Sequence, residues 1–158
     1  MKQLSFKLVL PLTLISFVIF TKWWYADVED GADILLFGFP FIYCCEGFAT
    51  SLSLQFFVAD MIADFATYFV LWYTIICLLN RFLFKIQIHN IVFGVLLTIT
   101  ILASIFSGFT LFQRDNYCSV TRPFKINVME TGYKFIWHYQ LQPNYYKYHP
   151  SKNALSEK

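Results

Sequence analysis

Long apolar stretches alternate along this chain with short polar ones, and the lengths of the apolar stretches match the thickness of a lipid bilayer. Ile91 to Phe112 carries no charged residue, and about 20 apolar residues cover the hydrocarbon core. A helix is predicted over 90–112. A second apolar run extends from Phe56 to Leu79 and is closed by Asn80, Arg81 and Lys85. As a helix it measures roughly 36 Å, so a second span is predicted over 56–80. The first run, Leu8 to Thr21, is shorter and lies between Lys7 and Lys22. Both lysines can snorkel, which lengthens this span to about 4–25 and places Trp23, Trp24 and Tyr25 in an interfacial belt. No small-residue cleavage pattern follows it, so residues 1–25 read as an uncleaved anchor rather than a removed signal.

Between and after these spans the pattern changes. Residues 26–55 form a predicted outer loop whose segment 34–45, Ile-Leu-Leu-Phe-Gly-Phe-Pro-Phe-Ile-Tyr-Cys-Cys, is apolar but interrupted by Gly38 and Pro40. Twelve residues broken in this way do not cross a membrane. They suit an interfacial segment, a strand packed on the tail, or a docking patch. After a turn at 81–89 and the third span, residues 113–158 begin with period-two alternation. Phe124, Ile126 and Val128 alternate on one side of Glu130-Thr131-Gly132, and Tyr133, Phe135, Trp137 and Tyr139 on the other, which predicts a β-hairpin. The expected fold class is thus mainly α: a polytopic membrane protein with three transmembrane helices and a small extracytoplasmic β-hairpin region.

Composition supports lipid as the solvent. Hydrophobic residues make up 58% of the 158 and charged ones 14%, against about 25% charged in soluble domains, and mean hydropathy is +0.53. A net charge of +2 without a basic run gives no reason to expect nucleic acid. Lys2, Lys7, Arg81 and Lys85 fall on one side of the predicted topology, whereas Asp27, Glu29, Asp30, Asp33 and Glu46 occupy a loop lacking Lys and Arg. The positive-inside tendency then puts the N-terminus in the cytoplasm and the C-terminus outside. A multi-pass protein of a bacterial inner (plasma) membrane is expected.

Candidate chemistry is sparse. Asp60 and Asp64, four apart, share one helix face near the outer end of the second span. They read either as outer-end acids solvated by headgroups or bridged to Lys22, or as a cation or proton site. Cys44, Cys45 and Cys118 lie in the outer segments, so a disulfide from Cys118 to Cys44 or Cys45 is expected, with free thiols the competing state. Phe39, Phe41, Tyr43, Phe135, Trp137 and Tyr139 are candidate docking residues. Gly94 with Thr98, and Ser104 with Gly108, form small-xxx-small pairs that let helices approach. His89, His138 and His149 are dispersed, and the chain contains no CxxC, HExxH, GxSxG or phosphate-binding glycine loop. No catalytic residue, metal or cofactor is expected. The pattern points to a non-catalytic accessory, assembly or scaffolding subunit of a larger membrane complex, with the bilayer and other membrane subunits as partners and a homo-oligomer left open. The alternative is a small ion-conducting or proton-coupled protein using Asp60 and Asp64.

Overall fold

The computed structural model describes residues 5–29, 31–47, 53–82, 89–135, 137, 143 and 145–149. A π-type turn, Ser5–Val9, leads into helix α1, Leu10–Ile19. Pro11, which has no N–H to donate, sits where this π-type turn passes into α1. The chain then leaves the helix abruptly. Phe20 takes extended dihedrals, φ −116° and ψ 129°, and strand β1 runs from Phe20 to Val28. The residues read above as an aromatic belt, Trp23 to Tyr25, are therefore strand residues, in keeping with the preference of bulky aromatic side chains for a pleated backbone. The expected first transmembrane helix over 1–25 is not formed.

Strands β2 (Ile34–Phe37), β3 (Cys44–Glu46) and β4 (Leu54–Phe57) follow as an antiparallel meander. Helices α2 (Val58–Phe82) and α3 (Asn90–Leu111) come next, then β5 (Tyr117–Ser119), β6 (Ile126–Phe135) and a single turn α4 (Tyr145–Tyr148). The strand order is β5-β4-β3-β2-β1-β6. β5 lies parallel to β4, and parallel neighbours need a long crossover. Here the crossover is the α2–α3 pair. The protein is thus a mixed six-stranded sheet joined to two helices long and apolar enough to cross a membrane. This overturns the mainly α, three-span fold expected from the sequence.

The sheet must curl. β5 and β6 occupy opposite edges yet are joined by residues 120–125 only, while five strand spacings amount to roughly 24 Å, about the full reach of the connecting chain. Curling brings the rings of Phe57 and Phe124 to 5.9 Å and the Glu29 N–H to 3.4 Å from the Lys125 carbonyl. Inside the curl Ala26, Leu36, Cys45 and Phe57 are wholly buried. The opposite face of β1 and β2 buries Trp23, Tyr25 and Leu35, so these two strands are covered on both faces.

The predicted hairpin is also corrected. β6 is one strand that pairs with β1 from Phe20↔Phe135 to Val28↔Ile126, with a register shift between Tyr25 and Ala26. Tyr25 faces Glu130 and Ala26 faces Val128, leaving Met129 as the bulged residue. Gly132 makes no turn. It lies opposite Trp23, and a Cβ there would come within 2.6 Å of the indole ring. A glycine is required because the Trp23 ring occupies the space a side chain would need.

Candidate functional site

All three helix–sheet junctions lie at one end of the helices: α1 enters β1 at Phe20, β4 enters α2 at Val58, and α3 returns to β5 through residues 112–116. Side chains pin this junction. The Tyr68 hydroxyl of α2 donates to the Phe20 carbonyl at 3.1 Å, and the Trp72 indole donates to Ser16 Oγ of α1 at 2.9 Å. At the far side Asn116 accepts the Leu54 N–H at 2.8 Å and donates to the Thr110 carbonyl, clasping α3 to β4.

The centre of the junction is the β2–β3 loop. Gly38 has φ +149°, a region open to glycine. Its N–H donates to the Lys22 carbonyl at 2.9 Å, and its carbonyl accepts the Trp24 indole N–H at 3.0 Å. The Phe39–Pro40 peptide bond is cis. Asp64, wholly buried, reaches this loop from α2: one carboxylate oxygen accepts the Phe39 N–H and the other the Phe41 N–H, each at 2.7 Å. Two charge-assisted bonds hold a carboxylate that would otherwise be costly to bury. Both oxygens are occupied in fastening the loop to the helix.

The other residues singled out from the sequence disperse around this latch. Asp60, a turn nearer the start of α2, is half-buried. Lys22 forms no ion pair with either acid, its Nζ lying 3.5 Å from the Trp24 ring centroid. Ion pairs among the described residues join Lys125 to Glu29, Lys147 to Glu130 and His149 to Asp33. Phe39 packs its ring among Phe20, Tyr68 and Tyr133, and Tyr43 stacks on Phe17 at 5.1 Å. Phe41, Phe135 and Trp137 point outward, the last 67% exposed and stacked on Phe135 at 5.0 Å. Tyr139 lies outside the described residues. On α3, the Thr98 hydroxyl donates to the Gly94 carbonyl, and nothing lies within 4 Å of a Cβ built on Gly94 or Gly108.

The expected disulfide is corrected as well. Cys44, Cys45, Cys77 and Cys118 are free thiols. Cys44 and Cys118 both pair with Phe56, one on each side of β4. Two strand spacings therefore separate them, roughly 9–10 Å, beyond the about 7 Å at which a bridge closes. Burial raises both thiols of the adjacent pair, Cys45 to about 12.

One cluster has no counterpart in the reading of the sequence. On the outer face of β1 the Tyr25 hydroxyl donates to Asp33 at 2.7 Å, and His149 Nε2 lies 3.0 Å from the same carboxylate oxygen. The His149 ring stacks on Tyr145, and Tyr25 contacts Tyr148. Beside them Glu130 accepts from Lys147 at 3.2 Å and from the Tyr148 hydroxyl. Burial first, and the Asp33 carboxylate second, raise the Tyr25 phenol. The Tyr148 and Lys147 bonds hold the Glu130 carboxyl below its usual range. These contacts fasten α4 onto the sheet. Asp33 and His149 lie 116 positions apart, so no local spacing announces the pair.

Neither arrangement places a Ser, Thr or Cys side chain beside a base, and no group of three His, Cys, Asp or Glu residues able to hold a metal occurs among the described residues. The arrangement can clamp, position and present surfaces. Comparison with protein-family models, with curated proteins and with solved structures finds no match for this chain.

Proposed function

We propose that this protein is a non-catalytic accessory or scaffolding subunit of a membrane complex, anchored by α2 and α3 and presenting its sheet to a partner subunit along β6. The observation that carries the reading is the edge position of β6 among the described residues. This ten-residue strand ends the sheet, and Val128, Tyr133 and Phe135 on it, with Trp137 just beyond, are exposed. Natural sheets usually shorten or cover such an edge, whereas an extended segment of another protein can add to it, with backbone hydrogen bonds giving affinity and side-chain pockets giving specificity.

Helix length supports this membrane placement. The 25 residues of α2 measure about 37 Å, and a hydrocarbon core of about 30 Å accepts the last 20 of them. The boundary then falls near Asp64, and the base of the sheet rests at headgroup level with Phe41, Tyr133, Phe135 and Trp137 as its aromatic rim.

A photoreactive phenylalanine analogue at Val128 or Tyr133, activated in native membranes, tests the reading. The expected result is one discrete adduct with an unlike membrane subunit that also co-purifies stoichiometrically in mild detergent. Adducts only with a second copy of the chain, or none, would overturn it.

A further inference from the structure

The three helices do not close against one another at the sheet end. Two adjoining cavities of about 150 and 320 Å³ occupy the gap, and Phe17, Val18, Met61, Ser107 and Leu111 wall both of them. Together they form one slot. Its upper part is roofed by Tyr43 and Phe56 of the sheet, and its lower part passes between Phe65 and Gly108. Ile62 and Phe106, which also wall it, are 61% and 57% exposed, so the mouth is continuous with the bare apolar flanks of α2 and α3.

We propose that this slot binds one acyl chain of a membrane lipid from the leaflet on the sheet side. The inference rests on the placement of α2 and α3 across the bilayer argued above. The slot follows about 10 Å of α3, from Ser104 to Leu111, at the level where the methylenes nearest the lipid headgroup lie. Its volume falls within the range of small-molecule sites, its walls are overwhelmingly apolar, and its mouth faces hydrocarbon rather than water. A membrane-crossing helix laid along Ser104 and Gly108 would run into Tyr43 and Phe56. A flexible chain that enters sideways meets no such obstruction. Gly108 borders the lower part of the slot, and with nothing within 4 Å of a Cβ built there a larger side chain has room to extend into it.

The test uses the full-length protein in phosphatidylcholine nanodiscs doped with a phosphatidylcholine whose acyl chain carries a diazirine close to the glycerol. After illumination, adducts are assigned to residues by tandem mass spectrometry. Wild type should concentrate label on Met61, Phe65 and Ser107 relative to Ala66 and Thr67, exposed at matching depth on the open face of α2. Gly108→Leu, which fills the slot, should lower the slot label several-fold and leave the open-face label unchanged. Ser104→Leu serves as a second filling variant, and Gly94→Leu, remote from the slot on α3, should change neither. Label on the open face with no enrichment in the slot, or slot label indifferent to both filling variants, would overturn the acyl-chain site alone. Absence of label from both places would overturn the membrane placement itself.

Discussion

Removing the Asp64 carboxylate should loosen the sheet from the helices without touching an apolar core. In Asp64→Ala the Phe39 and Phe41 N–H groups lose their acceptors, both at 2.7 Å in the native chain. A buried donor left unpaired costs about 1–3 kcal/mol, so the pair costs about 2–6 kcal/mol, nearer the lower end where interfacial water reaches the loop. For a chain of this size about 1 kcal/mol moves the midpoint by about 2–4 °C. The expected drop is about 5–20 °C in detergent. Tryptophan fluorescence is a suited signal because the Trp24 indole is bonded to Gly38 in the same loop. Asp64→Asn keeps one acceptor but turns an amide NH2 towards an N–H, and should lose a comparable amount. Hydrogen exchange at Phe39 and Phe41 should accelerate in both variants. Asp60→Asn, at a half-buried position a turn away with no backbone N–H to hold, should shift the midpoint by no more than about 2 °C. Equal effects from Asp60 and Asp64, or a midpoint for Asp64→Ala within 2 °C of wild type, as judged by the same roughly 2–4 °C per kcal/mol scale, would refute the latch.

Thiol chemistry and pH offer two further checks. A membrane-impermeant maleimide should label Cys118, exposed on β5, in sealed vesicles with the sheet side outward, whereas Cys44 and Cys45 should react only after unfolding, being buried with raised thiols. Cys118 protected without reductant and released by it would contradict the strand spacing. Because the Glu130 carboxyl is lowered by Tyr148 and Lys147, the docking it provides is fully present above the ordinary carboxylate pKa near 4.3 and is lost as pH falls through the lowered folded value. Protease cleavage within Tyr145–His149 should rise over that acidic window in wild type, and in Glu130→Gln it should already be high at neutral pH.

Sequence pattern made the two long apolar helices legible, because an uncharged run of bilayer length needs no tertiary information. It misjudged the sheet for identifiable reasons. Lys22-Trp23-Trp24-Tyr25 has the composition of a membrane-interface belt and of a buried strand alike, and only pairing with β2 and β6 decides between them. Glu130-Thr131-Gly132 has turn residues, but its glycine answers to a ring on the neighbouring strand. Asp64 stood out by its depth in an apolar helix. Its partners did not, because they are backbone amides and so carry no residue identity. The Asp33–His149 contact joins two unremarkable positions from opposite ends of the chain.

The pairing of β1 with β6 also sets an order of assembly. Strands β1 to β4 leave the ribosome first, then α2 and α3, and only afterwards the strand that joins Phe20 to Phe135. Until that strand arrives, β1 lacks its neighbour on one side and the curled core cannot close. If α2 and α3 cross the bilayer as proposed, the helical pair must be inserted before the sheet is complete. Until then the four-stranded sheet carries Trp23 and Trp24 along an unpaired edge of β1, the kind of edge that aggregates, so any delay in forming the helical pair lengthens the time that edge stands open.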